Sequence, residues 1–402
     1  MVKKNYIIPL FIQLLFLSLF FGNFNLDVGF AIKPYMVVTC LIILFFSRVL
    51  TFTKLLHFEW LMLLYILIYI LTALNFNYPI AHLRYIFAFI LIILFYFASR
   101  GLIYKCDINT IEKILSNVGV IGGFFSLVYY FLGLLKVNFN FHGNGVSYFG
   151  MLLDRSIPRL TGTAASDPNI FVFFATFYFF YFLCNLNSNK NKLGFLFIAI
   201  SIVCTFSRGA YLSIVIGILI YFLLGIGKGK KKYYINTLIL LPILYFVFSK
   251  LGDFFRIDLL DMIIRRFENI ASDGGSGRVE LWKDAYNTFM ENPLFGIGIN
   301  STFEYNGMYY GHSNYVHNTV LEVLSESGII GFCFFTLLWL SIFYSCIKLY
   351  KNRKSKLFLV IFLSMFIQMF FLSIQLSEAF FMVILLLYRY NQKDETAVTK
   401  KE

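Results

Sequence analysis

Long apolar runs separated by short polar breaks dominate the chain. A helix needs roughly 20 apolar residues to cross the hydrocarbon core of a bilayer. Runs of that kind centre on 6–24, 33–49, 58–75, 85–99, 114–135, 168–186, 193–207, 209–226, 233–249, 328–347, 357–374 and 376–390, which predicts twelve spans. The stretch 357–388 carries one charge, Glu378, and reads either as one long span or as a tight hairpin. The pattern is interrupted at length once, over 250–317, where RVELWKDAYNTFMENP has the period of an amphipathic helix. The expected fold is an all-α, polytopic transmembrane helix bundle of about 12 spans. Residues 1–249 would hold helices 1–9, 250–317 one large, partly helical loop, and 318–402 helices 10–12 and a tail.

Composition removes the soluble alternative. Hydrophobic residues make up 59% of the chain and charged residues 14%, too few charges to cover a soluble surface. The 51 Phe and 27 Tyr suit lipid-facing and interfacial positions. The opening MVKKNYIIPLFIQLLFLSLFF lacks a small-residue cleavage site and reads as a first span, not a cleavable signal. The six cysteines form no disulfide framework: Cys106 lies in a short basic loop and the others in or beside apolar runs.

A net charge of +13 does not call for nucleic acid, because Lys and Arg accumulate in cytoplasmic loops of membrane proteins. With the N-terminus inside, Arg48, Lys54, Arg100, Lys105, Arg389, the KGKKK run at 228–232 and IKLYKNRKSK at 347–356 all fall inside, among 22 of the 34 basic residues. A hairpin over 357–390 keeps KNRKSK and YRYNQK on that same side, which favours twelve spans. Segments 136–167 and 250–317 then face outward. A long loop beside short ones is where function is expected. Residues 250–317 hold six Lys/Arg against nine Asp/Glu, so an anion site there would come from particular arginines.

Four constellations could carry chemistry. Arg208, in CTFSRGAYLS, falls between two apolar runs with almost no room for a loop. An arginine at membrane depth needs a partner or an aqueous cavity; the plainer reading is an interfacial arginine snorkelling to headgroups. Arg278 follows a Gly/Ser-rich turn and opens a helix that Pro293 ends. Its guanidinium and the N–H groups at the helix start suit a phosphate, while pairing with Glu280 or Asp284 is the surface alternative. Trp282, Tyr286 and Phe289 would pack this helix against the membrane domain. In GHSNYVHNTVLEVLSESGIIGF, His317 precedes Asn318, a candidate N-cap. Gly328 ends that helix and Gly331 would let a neighbouring helix come close. A neutral imidazole is a natural general base near pH 7, although a capping or interfacial histidine fits equally. His312 and His317 have no cysteine or carboxylate set around them for a metal. In RLTGTAASDPN at 159–169, Arg159, Gly162 and Asp167-Pro168-Asn169 read as a turn entering a helix.

Taken in order, RLTG…DPN, SRGA, R…W…NPLFGIG and HN followed after nine residues by GIIG resemble the O-antigen polymerase/ligase superfamily of membrane glycosyltransferases. The last element matches the family spacing H-N-x9-G-x-x-G at His317, Asn318, Gly328 and Gly331. The resemblance implies a GT-C-like enzyme of the cytoplasmic (inner) membrane, working at its external face by inverting transfer without metal or cofactor. An undecaprenyl-diphosphate-linked glycan would be the donor and a glycan or lipid-linked hydroxyl the acceptor. Membrane lipids, a chain-length regulator and a flippase are the further partners it implies. It assigns Arg208 and Arg278 to the diphosphate and His317 to acceptor activation. Arg159, Asn169, Arg265, Trp282, His312 and Asn318 would contact substrate. Polymerisation of lipid-linked repeat units is the first reading and ligation of finished glycan onto lipid A core the second. A lipid-linked oligosaccharide flippase is the alternative from another class; the near absence of charge within the spans and of repeated halves speaks against it.

Overall fold

The computed structural model describes residues 4–27, 30–75, 78–225, 277–353, 355–375 and 377–392. The expected ninth span at 233–249 and Arg265 lie outside these residues. Among those described, the helices are α1 (Lys4–Phe20), α2 (Pro34–Phe46), α3 (His57–Leu71), α4 (Pro79–Ile103), α5 (Ile108–Lys136), α6 (Pro168–Cys184), α7 (Asn189–Cys204) and α8 (Arg208–Leu223). After the undescribed stretch come α9 (Arg278–Glu291), α10 (Thr302–Tyr309), α11 (Thr319–Arg353), α12 (Leu357–Gln368) and α13 (Glu378–Asn391). Each apolar run expected to be helical forms a helix wherever it is described. Four stretches, His57–Leu74, Pro79–Ile103, Ile108–Lys136 and Thr319–Arg353, are long and apolar enough to cross a membrane. The ambiguous 357–390 stretch is two helices: a 3-10 turn at Met369–Phe371 and extended residues separate α12 from α13.

The fold is not purely helical. Among the described residues two small antiparallel sheets occur, one of β1 (Leu26–Asp27) with β2 (Ala31–Ile32), the other of β3 (Val146–Tyr148), β4 (Met151–Asp154) and β5 (Ile157–Leu160) in the order 3-4-5. In VSYFGMLLDRSIPRL the alternation in β4 buries Met151 and Leu153 and leaves Leu152 and Asp154 half-exposed. That is the period of a strand with one covered face. The register places Leu152 opposite Arg159 and Asp154 opposite Ile157.

The chain divides into two compact units, one of residues 1–38, 108–269 and 363–365, the other of 39–107, 270–362 and 366–402. In the first, α5 packs against α1 and α7. A β-carbon on Gly122 would lie 2.3 Å from the Phe20 ring, so glycine is what lets α1 lie close there. The aromatic run of α6 is buried from Phe171 to Leu183. These rings therefore serve as core, as suits a helix that is apolar all round.

In the second unit α3 packs along α11, and α4 along α13. Arg100, expected in an inside loop, is instead 1% exposed. Its Nε donates to Glu59 Oε1 at 2.5 Å and its Nη2 to Oε2 at 3.1 Å. The remaining donors reach the carbonyls of Thr53 and Lys54, and the Tyr388 ring lies 4.1 Å away. Arg389 is likewise buried, donating to the Cys106 carbonyl. Buried charges persist only when paired and hydrogen-bonded in this way.

Candidate active site

Within the first unit the site is built around the three-residue turn that joins α7 to α8. Ser207 caps α8 by accepting from the Ala210 N–H, and Arg208 is the first helical residue. Phe206 takes a left-handed backbone, φ 49°, with its ring buried. Such a conformation costs a residue with a β-carbon, so the surroundings must hold it. Arg159 does much of that holding. From β5, its Nε donates to the Thr205 carbonyl at 3.0 Å, Nη1 to Asp154 Oδ2 at 2.9 Å and Nη2 to Asn169 Oδ1 at 3.1 Å. Asn169 Oδ1 also accepts from Ser207 Oγ at 2.6 Å. Asn169 is itself fixed because Asp167 caps α6, accepting from the N–H groups of Asn169 and Ile170. The RLTG…DPN and SRGA motifs are therefore one hydrogen-bonded knot.

The second unit holds the remaining candidates. Arg278 is the first residue of α9, and the preceding Gly277, with φ 71°, supplies no capping side chain. Helix α9 turns Leu281, Ala285 and Thr288 inward, while Tyr286 is exposed. The face expected to pack, Trp282, Tyr286 and Phe289, is thus rotated by one position. Small side chains on the inner face allow α9 to lie against α11. His312 Nε2 lies 3.0 Å from Asp284 Oδ2, which makes His312 the partner of one of the two carboxylates considered for Arg278. The Trp282 indole N–H is buried and has no hydrogen-bond partner among the described residues.

His317 lies just before α11 in a left-handed conformation, φ 52°, and its N–H donates to Ser373 Oγ at 3.1 Å. Asn318 caps the helix as expected, its Oδ1 accepting from the N–H groups of Val320 and Leu321. Thr319 Oγ1 donates to the Leu372 carbonyl and accepts from the Ile374 N–H, so residues 372–374 are stitched to the helix start.

Helix α11 is broken at Gly328, whose φ of 61° and ψ of −166° are non-helical. The loop PLFGIG fills the break. Ile297 and Gly298 donate to the Ser325 and Glu326 carbonyls, and Ile329 and Ile330 donate to the carbonyls of Pro293 and Leu294. A β-carbon on Gly328 would stand 2.3 Å from the Leu294 main chain. Gly331 was expected to admit a neighbouring helix. Instead, among the described residues, a β-carbon there would meet Ser327 of its own helix, and the close approach to another segment is seen one turn earlier, at the break.

Glu326 secures the same junction and was not anticipated. Its carboxylate accepts from the Asn300 N–H at 3.0 Å, the Thr302 N–H at 3.2 Å, Thr302 Oγ1 at 2.9 Å and the Tyr69 hydroxyl. Glu322, one turn earlier, is also buried, with Oε2 lacking a hydrogen-bond partner among the described residues. A sequence signal existed: two carboxylates one turn apart at the entry to an apolar run are expensive and so worth noting. On α10, burial and the Glu291 carboxylate that accepts its hydrogen bond hold the Tyr305 phenol well above its usual pKa. Burial raises Tyr315 likewise, with Glu304 adding to it. Among the described residues no group of three metal-ligating side chains occurs.

Arg208 and Arg278 share one feature. Each is a cation at the first position of a helix, where the aligned peptide dipoles disfavour positive charge by about 0.3–1 kcal/mol. An anion reverses that sign, since guanidinium and helix N–H groups then act together. Both arginines are half-buried, as is His317. No curated protein matches the chain. Residues 193–336, which include Arg208, Arg278, His317, Gly328 and Gly331, match the family described as O-antigen ligase. That match supports a place in the O-antigen ligase/polymerase superfamily, and the four long apolar helices fit a membrane protein.

Proposed function

We propose that the protein is a glycosyltransferase that polymerises undecaprenyl-diphosphate-linked oligosaccharide repeat units into a surface polysaccharide, at the outer face of the cytoplasmic membrane. In the reaction, an acceptor hydroxyl oxygen bonds to the anomeric carbon of the donor sugar on the face opposite the diphosphate. The bond from that carbon to the diphosphate oxygen breaks, and its electron pair leaves with the lipid diphosphate. The hydroxyl proton passes to His317. Arg208 and Arg278 stabilise the growing phosphate charge. The observation that carries this reading is that all three residues fall within the family-matched segment and each lies at the N-terminal edge of a helix. Two arginines at helix N-termini suit an anionic substrate, because the guanidinium and the helix N–H groups then act on the same charge. The family description itself favours a second reading, ligation of finished glycan to a separate acceptor.

A reconstituted assay separates the two. Purified protein in liposomes, given lipid-linked repeat units alone, should form a ladder of products if it polymerises; a ligase forms product only once a distinct acceptor is added. Arg208→Ala and Arg278→Ala should each lower transfer on the order of 10²–10³-fold, the scale for removing one stabiliser of transition-state charge. Lysine should restore only part, because it keeps the charge and loses the bidentate fork. Parent rates in both alanine variants at matched protein levels would reject these roles.

A further inference from the structure

We infer that Arg159 is a positioning residue: it braces the turn from Thr205 to Ser207 and so aims Arg208. The inference rests on the role given to Arg208 above and adds a residue that lies before the family-matched segment. Each nitrogen of the Arg159 guanidinium donates to an oxygen of the protein, on three different elements: the Thr205 carbonyl after α7, Asp154 in β4 and Asn169 in α6. The group is 8% exposed. A guanidinium whose donors are directed to Thr205, Asp154 and Asn169, with Asp154 balancing its charge, is built as a strut and not as a phosphate clamp. Its contacts converge on the residues that set where Arg208 emerges. Thr205 is held through its carbonyl, and Ser207 through Asn169 Oδ1, which bridges Arg159 and the Ser207 hydroxyl. Phe206 between them has the unfavourable positive φ that makes an outside brace necessary. Without the brace the turn can relax toward ordinary backbone angles, and the first residue of α8 moves with it.

This separates Arg159 from a residue that binds substrate. Displacing a charge-stabilising group by about 1 Å can cost on the order of 10²-fold in rate, and the loss falls on turnover when the group acts mainly in the transition state. Arg159→Ala should therefore lower kcat on that scale and leave the donor KM within about twofold. Arg159→Lys should behave like alanine, because one ammonium cannot reach three oxygens on three elements; a phosphate contact would tolerate lysine better.

The experiment is a double-mutant cycle in reconstituted liposomes with lipid-linked repeat units as donor. It uses Arg159→Ala, Ser207→Ala and the partly active Arg208→Lys, singly and combined. Arg159→Ala should cost little further once Arg208→Lys is present, since residues acting through one another are non-additive. Ser207→Ala leaves the guanidinium untouched and should give the same kcat-selective loss and the same non-additivity, which keeps the test decisive if Arg159→Ala fails to accumulate. Multiplicative losses, or a donor KM rising in Arg159→Ala with kcat preserved, would overturn the inference and return Arg159 to substrate binding. Parent activity in Arg208→Ala, assayed beside the cycle, is a different result: it removes Arg208 from the chemistry and takes the proposed function's arginine role with it.

Discussion

His317 holds a backbone angle that a residue with a β-carbon adopts only at a cost of about 1–2 kcal/mol. Ser373 and the Asn318 cap on the following helix are what hold it there. Strain of this sort concentrates where geometry serves function. Two substitutions divide the imidazole from the backbone. His317→Ala should lower transfer at least ~10²-fold, the scale of a general base, and keep donor binding. His317→Gly should be equally inactive yet more stable than His317→Ala by about 1 kcal/mol, since glycine takes positive φ without penalty. Thermal midpoints in detergent and donor binding measured beside turnover check both. A glycine variant no more stable than the alanine one would remove the strain argument, and one with parent turnover would remove the base. At this scale the sequence displays many of the candidate residues. An arginine wedged between apolar runs and an asparagine opening a helix are visible as residue types in place. The Arg159 brace is not, because Thr205 stands 46 positions away and nothing local ties the two.

Helix α11 shows how an element can be right in kind and wrong in detail. The apolar run and the asparagine cap foretell a helix starting near residue 318, and it does. The interruption at Gly328 reads in sequence as a helix end followed by a packing glycine, because the segment that completes the break lies some thirty residues earlier. Gly328→Ala should be severe, as the new carbon meets the Leu294 main chain and the φ of 61° disfavours any side chain. Among the described residues Gly331→Ala meets the Ser327 side chain alone. Accordingly Ser327→Gly should rescue Gly331→Ala, whereas a single side-chain change rescues nothing at 328. Membrane accumulation and thermal midpoints of the four variants test this, and rescue of Gly328→Ala by Ser327→Gly would contradict the geometry. The sheet of β3 to β5 was missed for another reason: its strands of three and four residues alternate too briefly to stand out among spans of twenty.

For the whole molecule, the helix order followed from hydropathy because a bilayer demands about 20 apolar residues per crossing and satisfied backbone throughout. Charge was a less direct guide. Arg100 and Arg389 count as loop cations in any sidedness tally, yet both are buried in hydrogen bonds. Sidedness is therefore best measured: cysteines substituted at Lys230 and Ser272 should label with an impermeant reagent from opposite faces, and labelling from one face would refute the orientation.

The broken helix also decides what can be exchanged between relatives. Four main-chain hydrogen bonds and the Glu326 carboxylate join residues 293–302 to 325–330. Main-chain bonds are indifferent to side-chain identity but strict about length and register, so the two segments form one transplantable cassette despite their separation along the chain. A chimera carrying both from a single parent should accumulate in the membrane, and one carrying either alone should be degraded.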